Sequence, residues 1–553
     1  MKYQFKQDKL KILFVSESSY AGNTGFANYY KNLISRVHES GKYRCAEFAS
    51  FAGINDPRDE QVKHRFYANE VAPNDPRHAQ FQSNELNKLG LWRYEKVLLD
   101  FMPDVTIELR DCTMYSYQDF SHLRKYVYWI QAPAIDSGPQ INAWLDCYLS
   151  ADAILPYTDY GKKVLEEELH GRAKVFKVAY PGADYKTFFP ITNKVGLRQK
   201  YGIDPNINIV GFCARNQIRK LFPNLMEAFR KFLDTQLHQQ DYYLYLNTTH
   251  PDLKPWNFSK ILVEMGLTNN VLFSYICTKC QQFFPNKWND VNTKCRFCGE
   301  LAIMPRISYM PTPQHLNEIY NLFDVYVQYA NAGGAEFPLI EAAAAGTPVM
   351  AIDYAGMGSI VHRLGGVPLK TYCLSKDINT EADRAIPNNE HLVEELKRFF
   401  SRPKQINIRN GFKTHEVCLK KFSWDVNADI FMECIDNIQF TGRQGKWGLQ
   451  EDYVPQQVPD NSKLSDYINQ LIDLGLQEPR LKNTLFIDDL IKKCEIGIYT
   501  NGNGIMNTDK NYAQTVLVNL INQKIAAELI RKGSPLDYED FMMYAETKEL
   551  VNL

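Results

Sequence analysis

The chain has 553 residues, 45% hydrophobic and 23% charged, with 33 Tyr, 31 Phe and 7 Trp. That balance excludes a disordered chain and gives length for about three to four domains without disulfide staples. Its 63 basic and 64 acidic residues leave a net charge of −1, which excludes a globally basic nucleic-acid coat but not a local basic groove.

The start, MKYQFKQDKLKILFVSES, has a short apolar run that breaks into polar residues. It reads as a first strand and not as a signal peptide or a membrane span, and no other apolar run approaches about 18 residues. A cytoplasmic location is the expectation. Lys11–Ser16 is a buried strand, Tyr20–Gly25 a glycine-bearing turn, and Phe26–Val37 an amphipathic helix. Further strands are expected at Asp104–Leu109, Tyr126–Gln131 and Asp152–Pro156. Short apolar runs separated by helical segments predict a doubly wound parallel sheet.

The pattern restarts near residue 207. Strands are expected at Ile207–Phe212, Tyr242–Leu246, Val271–Tyr275, Val325–Tyr329 and Pro348–Ile352, with a helix from about Leu221 to Gln236. The fold class is therefore α/β, with two facing Rossmann-like domains at 1–190 and 191–437 and ligands between the carboxyl ends of their strands. Residues 438–553 read as a linker, Thr441–Asp460, followed by a helical extension. Its periodicity runs through Leu464, Ile468, Leu471 and Ile472, then Leu517, Leu520, Ile521 and Ile525, with a loop at Thr500–Asn507. Packing or homo-oligomer formation is the role expected of it.

Cys277-Thr-Lys-Cys280 and Cys295-Arg-Phe-Cys298 are two C-x-x-C pairs with fourteen residues between them. The spacing points to a tetrahedral four-cysteine zinc site in an insertion at 276–306. Four thiolates close the coordination shell, so the metal is structural. Val271–Tyr275 and Ile307–Met310 would be two edges of one element split by this ribbon, which would project beside the cleft. Its Lys279, Lys287, Lys294 and Arg296 are interleaved with Phe283, Phe284, Trp288 and Phe297. Such aromatics could stack bases; filling a small core around the metal is the favoured reading. The other eight cysteines read as buried thiols.

Several segments in order resemble the retaining GT-B glycosyltransferases of family four, over about residues 10–437. YAGNTGFANYYKNL resembles that family's glycine-rich loop and first helix, and YPGADYKTFFP the passage into the second domain. GFCARNQIRKLFPNLMEAF resembles the diphosphate-binding turn, FPLIEAAAAGTPV the donor-site helix, and KFSW the closing segment. The resemblance implies that Arg215 and Lys220 grip a diphosphate, with Arg219 ranked lower. It implies that Glu341 holds a ribose, with the N–H groups of Leu339 and Ile340 near the phosphates, and that Gly22 and Gly25 let the backbone approach the donor. The chemistry agrees: Arg offers a fork, Lys a point charge, and a carboxylate accepts from two ribose hydroxyls. Glu341 is expected to open an Ala-rich helix, Ala342–Ala345.

The family's motif carries another glutamate, which would fall at position 333; here Gly333 stands there. Either Glu336 takes that role through a reshaped loop, or the backbone N–H groups of Gly333, Gly334 and Ala335 bind the sugar. The family's functional His also has no counterpart, since Gln131-Ala-Pro occupies its place; His122 reads as a solvated helix residue. The resemblance implies front-face reaction, with the departing phosphate taking the acceptor's proton, so a protein base is dispensable. The expectation is a glycosyltransferase moving a sugar from a UDP- or GDP-sugar to a hydroxyl of a polysaccharide or glycolipid, with no catalytic metal. Two alternatives stand beside it: an enzyme glycosylating a hydroxylated DNA base, as in phages, and an inactive nucleotide-sugar-binding scaffold.

Overall fold

The computed structural model describes residues 9–20, 24–53, 62–250, 255–288, 292–306 and 309–447, and two short strands, Tyr499–Asn501 and Ile505–Asn507. Six strands form the first sheet: β1 (Lys11–Glu17), β2 (Arg44–Gly53), β3 (Arg65–Glu70), β4 (Val105–Glu108), β5 (Tyr128–Gln131) and β6 (Ala153–Ile154). All are parallel, in the order β3-β2-β1-β4-β5-β6. Ile12, Leu13, Phe14 and Val15 are fully buried, as expected of a strand covered on both faces. The helix Gly25–Glu39 follows β1, capped by the Thr24 hydroxyl, which accepts from the Ala27 N–H. Its buried face carries Tyr29, Tyr30, Leu33, Ile34 and Val37 at helical spacing.

The second sheet repeats this topology. Strands β7 (Asn208–Cys213), β8 (Tyr242–Asn247), β9 (Val271–Cys277), β10 (Phe283–Lys287), β11 (Asn292–Lys294), β12 (Leu301–Ile303), β13 (Val325–Gln328), β14 (Val349–Ile352) and β15 (Val367–Leu369) make it up. Its parallel part runs β9-β8-β7-β13-β14-β15. The cysteine insertion does not stand off as a separate knuckle. β9 continues through Tyr275 to Cys277, and β10 and β12 pair with it antiparallel. Of the expected second edge, Arg306 and Tyr309 form an isolated bridge, while Ile307 and Ser308 lie outside the described residues.

The helix Trp424–Asp436 falls within 191–437 by sequence, yet it packs on the first unit. Trp424, Ala428, Phe431 and Ile435 share a core with Tyr29, Tyr30 and Leu33. The two crossings between units run side by side, with the Ala183 N–H donating to Phe422 O at 3.0 Å. After that helix the described residues up to 447 stay on the first unit, where Trp447 Nε1 donates to Pro103 O at 2.8 Å.

The expected helices at Leu464–Ile472 and Leu517–Ile525 lie outside the described residues, as does most of the linker. Thr500–Asn507, expected as a loop, instead contributes to a short antiparallel pair, Tyr499–Asn501 with Ile505–Asn507.

Candidate functional site

The cations of the second unit lie on the turn that leaves β7. Arg215 is half-buried, Arg219 exposed and Lys220 buried. The turn ends on Leu221, whose φ of 46° is left-handed, and the helix Phe222–Asp234 begins there with Pro223 in its first turn. Lys220 Nζ lies 2.6 and 2.7 Å from the two carboxylate oxygens of Glu336. Arg219 approaches the same carboxylate at 3.7 Å, and Gln328 Nε2 donates to it at 3.2 Å. Burial and the adjacent Arg219 push the Lys220 ammonium down to about 8, against the pull of Glu336.

Gly333 explains how Glu336 turns in. A β-carbon at position 333 would sit 2.4 Å from Glu336 Oε1. The Glu336 carboxylate therefore fills the space that a side chain at 333 would enter. Gly334 is required for another reason: a β-carbon there would meet Ala134 O of the first unit at 2.2 Å.

Glu336 stands at the N-cap position of the helix Phe337–Ala344, with its side chain on Lys220 and not on the helix N–H groups, and that helix begins four residues before Glu341. Glu341 is thus the fifth residue of that helix and not its opening residue. The early start follows from Pro338, which suits the first helical turn because its missing N–H is not needed there. The Leu339 N–H is directed at Glu336 O, 3.1 Å away, and Leu339 and Ile340 are both fully buried. In this arrangement Leu339 is not an open phosphate donor. Glu341 is buried, and its Oε2 accepts from the Tyr320 hydroxyl at 2.7 Å. Burial raises its carboxyl to about 7.

The first unit presents the opposite wall. Gly25 faces the ring of Phe337, with 3.2 Å from its built β-carbon to Phe337 Cε2; Gly22 lies outside the described residues. Gly25 and Ala134 follow β1 and β5, while Gly334 and Phe337 follow β13, so the carboxyl ends of the two sheets face one another. Arg384 NH1 also crosses between the units, donating to Ser137 Oγ at 2.8 Å. Gln131 is locked in the core, its Nε2 donating to Cys147 O at 3.0 Å, so it offers nothing in place of the missing His. His122 is the first residue of a short 3-10 helix, His122–Tyr126.

Two carboxylates here, Glu17 and Asp111, were not found in the sequence. Glu17 ends β1, is held by the Thr24 hydroxyl, and is raised by burial while Arg215 opposes the rise. Asp111 follows β4 and opens to the cleft, yet protein of both units crowds it. Desolvation and the charge of Asp136 push it up to about 7, with Arg219 pulling the other way. A fully buried ion pair beneath fixes this segment: Arg110 binds both oxygens of Glu108, at 2.7 and 2.6 Å. The signal available in sequence was position alone, since Glu17 and Asp111 each close an apolar strand segment.

The four cysteines converge. Their sulfur atoms all lie within 4.8 Å of one another, with Cys277 Sγ 3.4 Å from Cys298 Sγ and Cys280 Sγ 3.7 Å from Cys295 Sγ. Metal–sulfur bonds of about 2.3 Å in a tetrahedron put sulfurs about 3.8 Å apart, so the set could hold a metal. The N–H groups of Lys279 and Cys280 point to Cys277 Sγ, and that of Phe297 to Cys295 Sγ, each at 3.4 Å. Each knuckle ends on a left-handed residue, Gln281 and Gly299. Phe283 and Phe284 are in the core, and Trp288 packs on Phe258 and Phe273. Of the ribbon's aromatics, Phe297 is exposed. Lys279 is paired with Glu300 at 2.8 Å, and Arg296 reaches the Tyr201 carbonyl. Six of the other cysteines are buried; Cys373 is exposed, and Cys494 lies outside the described residues.

Two doubly wound units with facing carboxyl ends constitute the GT-B fold of glycosyltransferases, carrying here a four-cysteine insertion. Among solved structures the chain is similar to a sucrose-phosphate synthase from Thermosynechococcus elongatus, with a TM-score of 0.55 and 14% identity over 77% of this chain and 98% of that one. It is similar to Anabaena HepE in complex with UDP and glucose, with a TM-score of 0.51 and 13% identity over 78% of this chain and 100% of that one. WaaG, a glycosyltransferase involved in lipopolysaccharide biosynthesis, gives a TM-score of 0.51 and 12% identity over the same shares. No family model matches the chain, and no curated protein matches its sequence. Among the described residues no helix is long and apolar enough to cross a membrane.

Proposed function

We propose that the protein transfers a sugar from a nucleoside diphosphate sugar to a hydroxyl acceptor, with retention of anomeric configuration. The observation that carries this reading is the placement of Arg215, Arg219 and Lys220 at the carboxyl end of β7, opposite the carboxylates of the first unit. The leaving diphosphate needs positive charge held in place before reaction, and three cations on one turn supply it. Arg215 and Lys220 would bind the diphosphate. Glu341 would accept from the ribose hydroxyls, and Glu336, seated in the space above Gly333, would take the sugar contact. The open sides of the glycines expected at the donor are taken up by protein, Gly25 by Phe337, Gly333 by Glu336 and Gly334 by Ala134, so they serve the closing of the site. Anabaena HepE, which is similar in fold, was solved in complex with UDP and glucose, and this supports a nucleotide-sugar donor.

Retention fits front-face transfer, in which the acceptor's proton passes to the departing phosphate and the acceptor oxygen bonds to the anomeric carbon as the bond from that carbon to the diphosphate oxygen breaks. Asp111 faces the same cleft and would orient the acceptor hydroxyl. The four cysteines would hold a structural zinc, closed to substrate. A polysaccharide or glycolipid acceptor is favoured over DNA, because the ribbon's Phe283 and Phe284 are consumed in the core and Lys279 is paired. Release of UDP or GDP from one member of a nucleotide-sugar panel, lost in Arg215→Ala, tests the reading. A protein that binds and turns over none of them is not a glycosyltransferase.

A further inference from the structure

The cysteine cluster and the cation turn are joined by a continuous run of contacts. Cys277 ends β9, and its carbonyl oxygen accepts from the Tyr309 hydroxyl at 2.8 Å; Gln281 Oε1, beside the first knuckle, is 2.6 Å from the same hydroxyl. Tyr309 and Arg306 exchange backbone hydrogen bonds at 2.8 and 3.0 Å. The next residue back, Pro305, accepts from the His250 N–H at 2.8 Å, on the loop that leaves β8. Its neighbour Thr249 accepts through Oγ1 from the Asn216 N–H at 3.1 Å. Asn216 is fully buried and follows Arg215 directly.

Within the turn, Gln217 N–H donates to Arg215 O, and Lys220 N–H to Gln217 O. Its Arg215–Asn216 end is tied from outside by Thr249 and by Trp256, which exchanges two hydrogen bonds with the Asn216 side chain at 3.0 and 3.1 Å, while its far end is held by Asn331, whose N–H donates to Arg219 O at 2.9 Å, and by the Lys220–Glu336 pair. The ribbon has little that is independent, since Phe283, Ala302 and Met304 belong to the core of the second unit. A segment this short takes its order from a metal and from its neighbours.

We propose that the metal-loaded ribbon braces the diphosphate-binding turn, with Tyr309 and Thr249 as positioning residues at the two ends of the brace. The inference rests on the donor-site reading above for its functional meaning. The contacts themselves do not depend on it.

Hydrogen exchange of the zinc-loaded full chain tests it without requiring catalysis. Tyr309→Phe keeps the ring and all four cysteines. Zinc content should be unchanged, while amides of 214–217 and 248–250 exchange about tenfold faster, the scale expected for a lost tie in a locally opening segment. Amides of β1 and β4 should be unaffected. Should Tyr309→Phe shed zinc, Thr249→Val carries the test: zinc withdrawal loosens the turn in the parent chain and adds nothing further in this variant. Equal turn protection in parent, Tyr309→Phe and zinc-stripped protein would overturn the brace. UDP binding is read in parallel. Loosened turns without UDP binding in any form would leave the brace standing and sink the donor reading. UDP binding with unchanged turns would do the reverse.

Discussion

Lys220 holds both carboxylate oxygens of Glu336, at 2.6 and 2.7 Å, with both side chains closed to solvent. The cation proposed to bind the diphosphate is thus matched, before any donor arrives, by the carboxylate proposed to touch the sugar. Lys220→Ala should abolish UDP binding and also destabilise the chain by about 3 kcal/mol, because it leaves a buried carboxylate short of its counter-charge. Lys220→Met combined with Glu336→Leu should recover most of that stability without recovering UDP binding. Denaturant titration and calorimetry separate the two effects.

The same pair sets a pH dependence. Lys220 titrates near pH 8, so it is charged at neutral pH and loses its charge above that value. UDP affinity should fall roughly thirtyfold between about pH 7 and about pH 9.5. Lys220→Arg, which stays protonated, should flatten the profile if it still binds. A profile flat in the parent protein would show that Lys220 does not carry the phosphate contact.

Glu341 gives a stability signature with the opposite origin. Its folded carboxyl sits at about 7, above the ordinary range of about 4.3, so the folded chain binds this proton more tightly than the unfolded one. Its contribution is present at low pH, is lost progressively as pH rises from about 4 to about 7, and is constant beyond. Glu341→Gln keeps an acceptor for the Tyr320 hydroxyl and should remove the decline. At pH 8 the variant should be more stable than the parent by on the order of 1–3 kcal/mol in urea melts, while donor turnover falls by at least about a hundredfold if the residue holds the ribose.

Gly334 tests the closed cleft. A methyl group there would lie 2.2 Å from Ala134 O, so Gly334→Ala must part the two units or displace the loop after β5. Small-angle scattering should show a larger radius of gyration, and transfer should slow by about tenfold or more, because the acceptor and donor walls no longer meet. Unchanged scattering and turnover would show that this contact does not set the working cleft.

The parallel strands were readable because each is an apolar run buried on both faces. KILFVS became β1 and INIVGF became β7 with shifts of a residue or so at their ends. β2 was not readable, because Arg44–Gly53 buries Glu47 and Ser50 beside its apolar residues and breaks the run. The Trp424–Asp436 helix could not be assigned to the first unit, since its apolar face does not name its partner. At the site, Arg215, Lys220 and Glu341 stood out by motif. The Lys220–Glu336 pair did not, because it depends on the empty space above Gly333 and not on spacing. Asp111 escaped notice because what shifts it, desolvation by the surrounding chain and then the charge of Asp136 on another strand's loop, is not adjacent in sequence.

The central claim is tested most directly by incubating the purified protein with UDP- and GDP-sugars and measuring release of the free nucleoside diphosphate, in the parent chain and in Arg215→Ala. One donor should be consumed, an added hydroxyl acceptor should accelerate its consumption with retained configuration, and Arg215→Ala should reduce the rate by at least about a hundredfold. Release at the parent rate by Arg215→Ala, or no release and no binding by the parent chain with any donor, would contradict it.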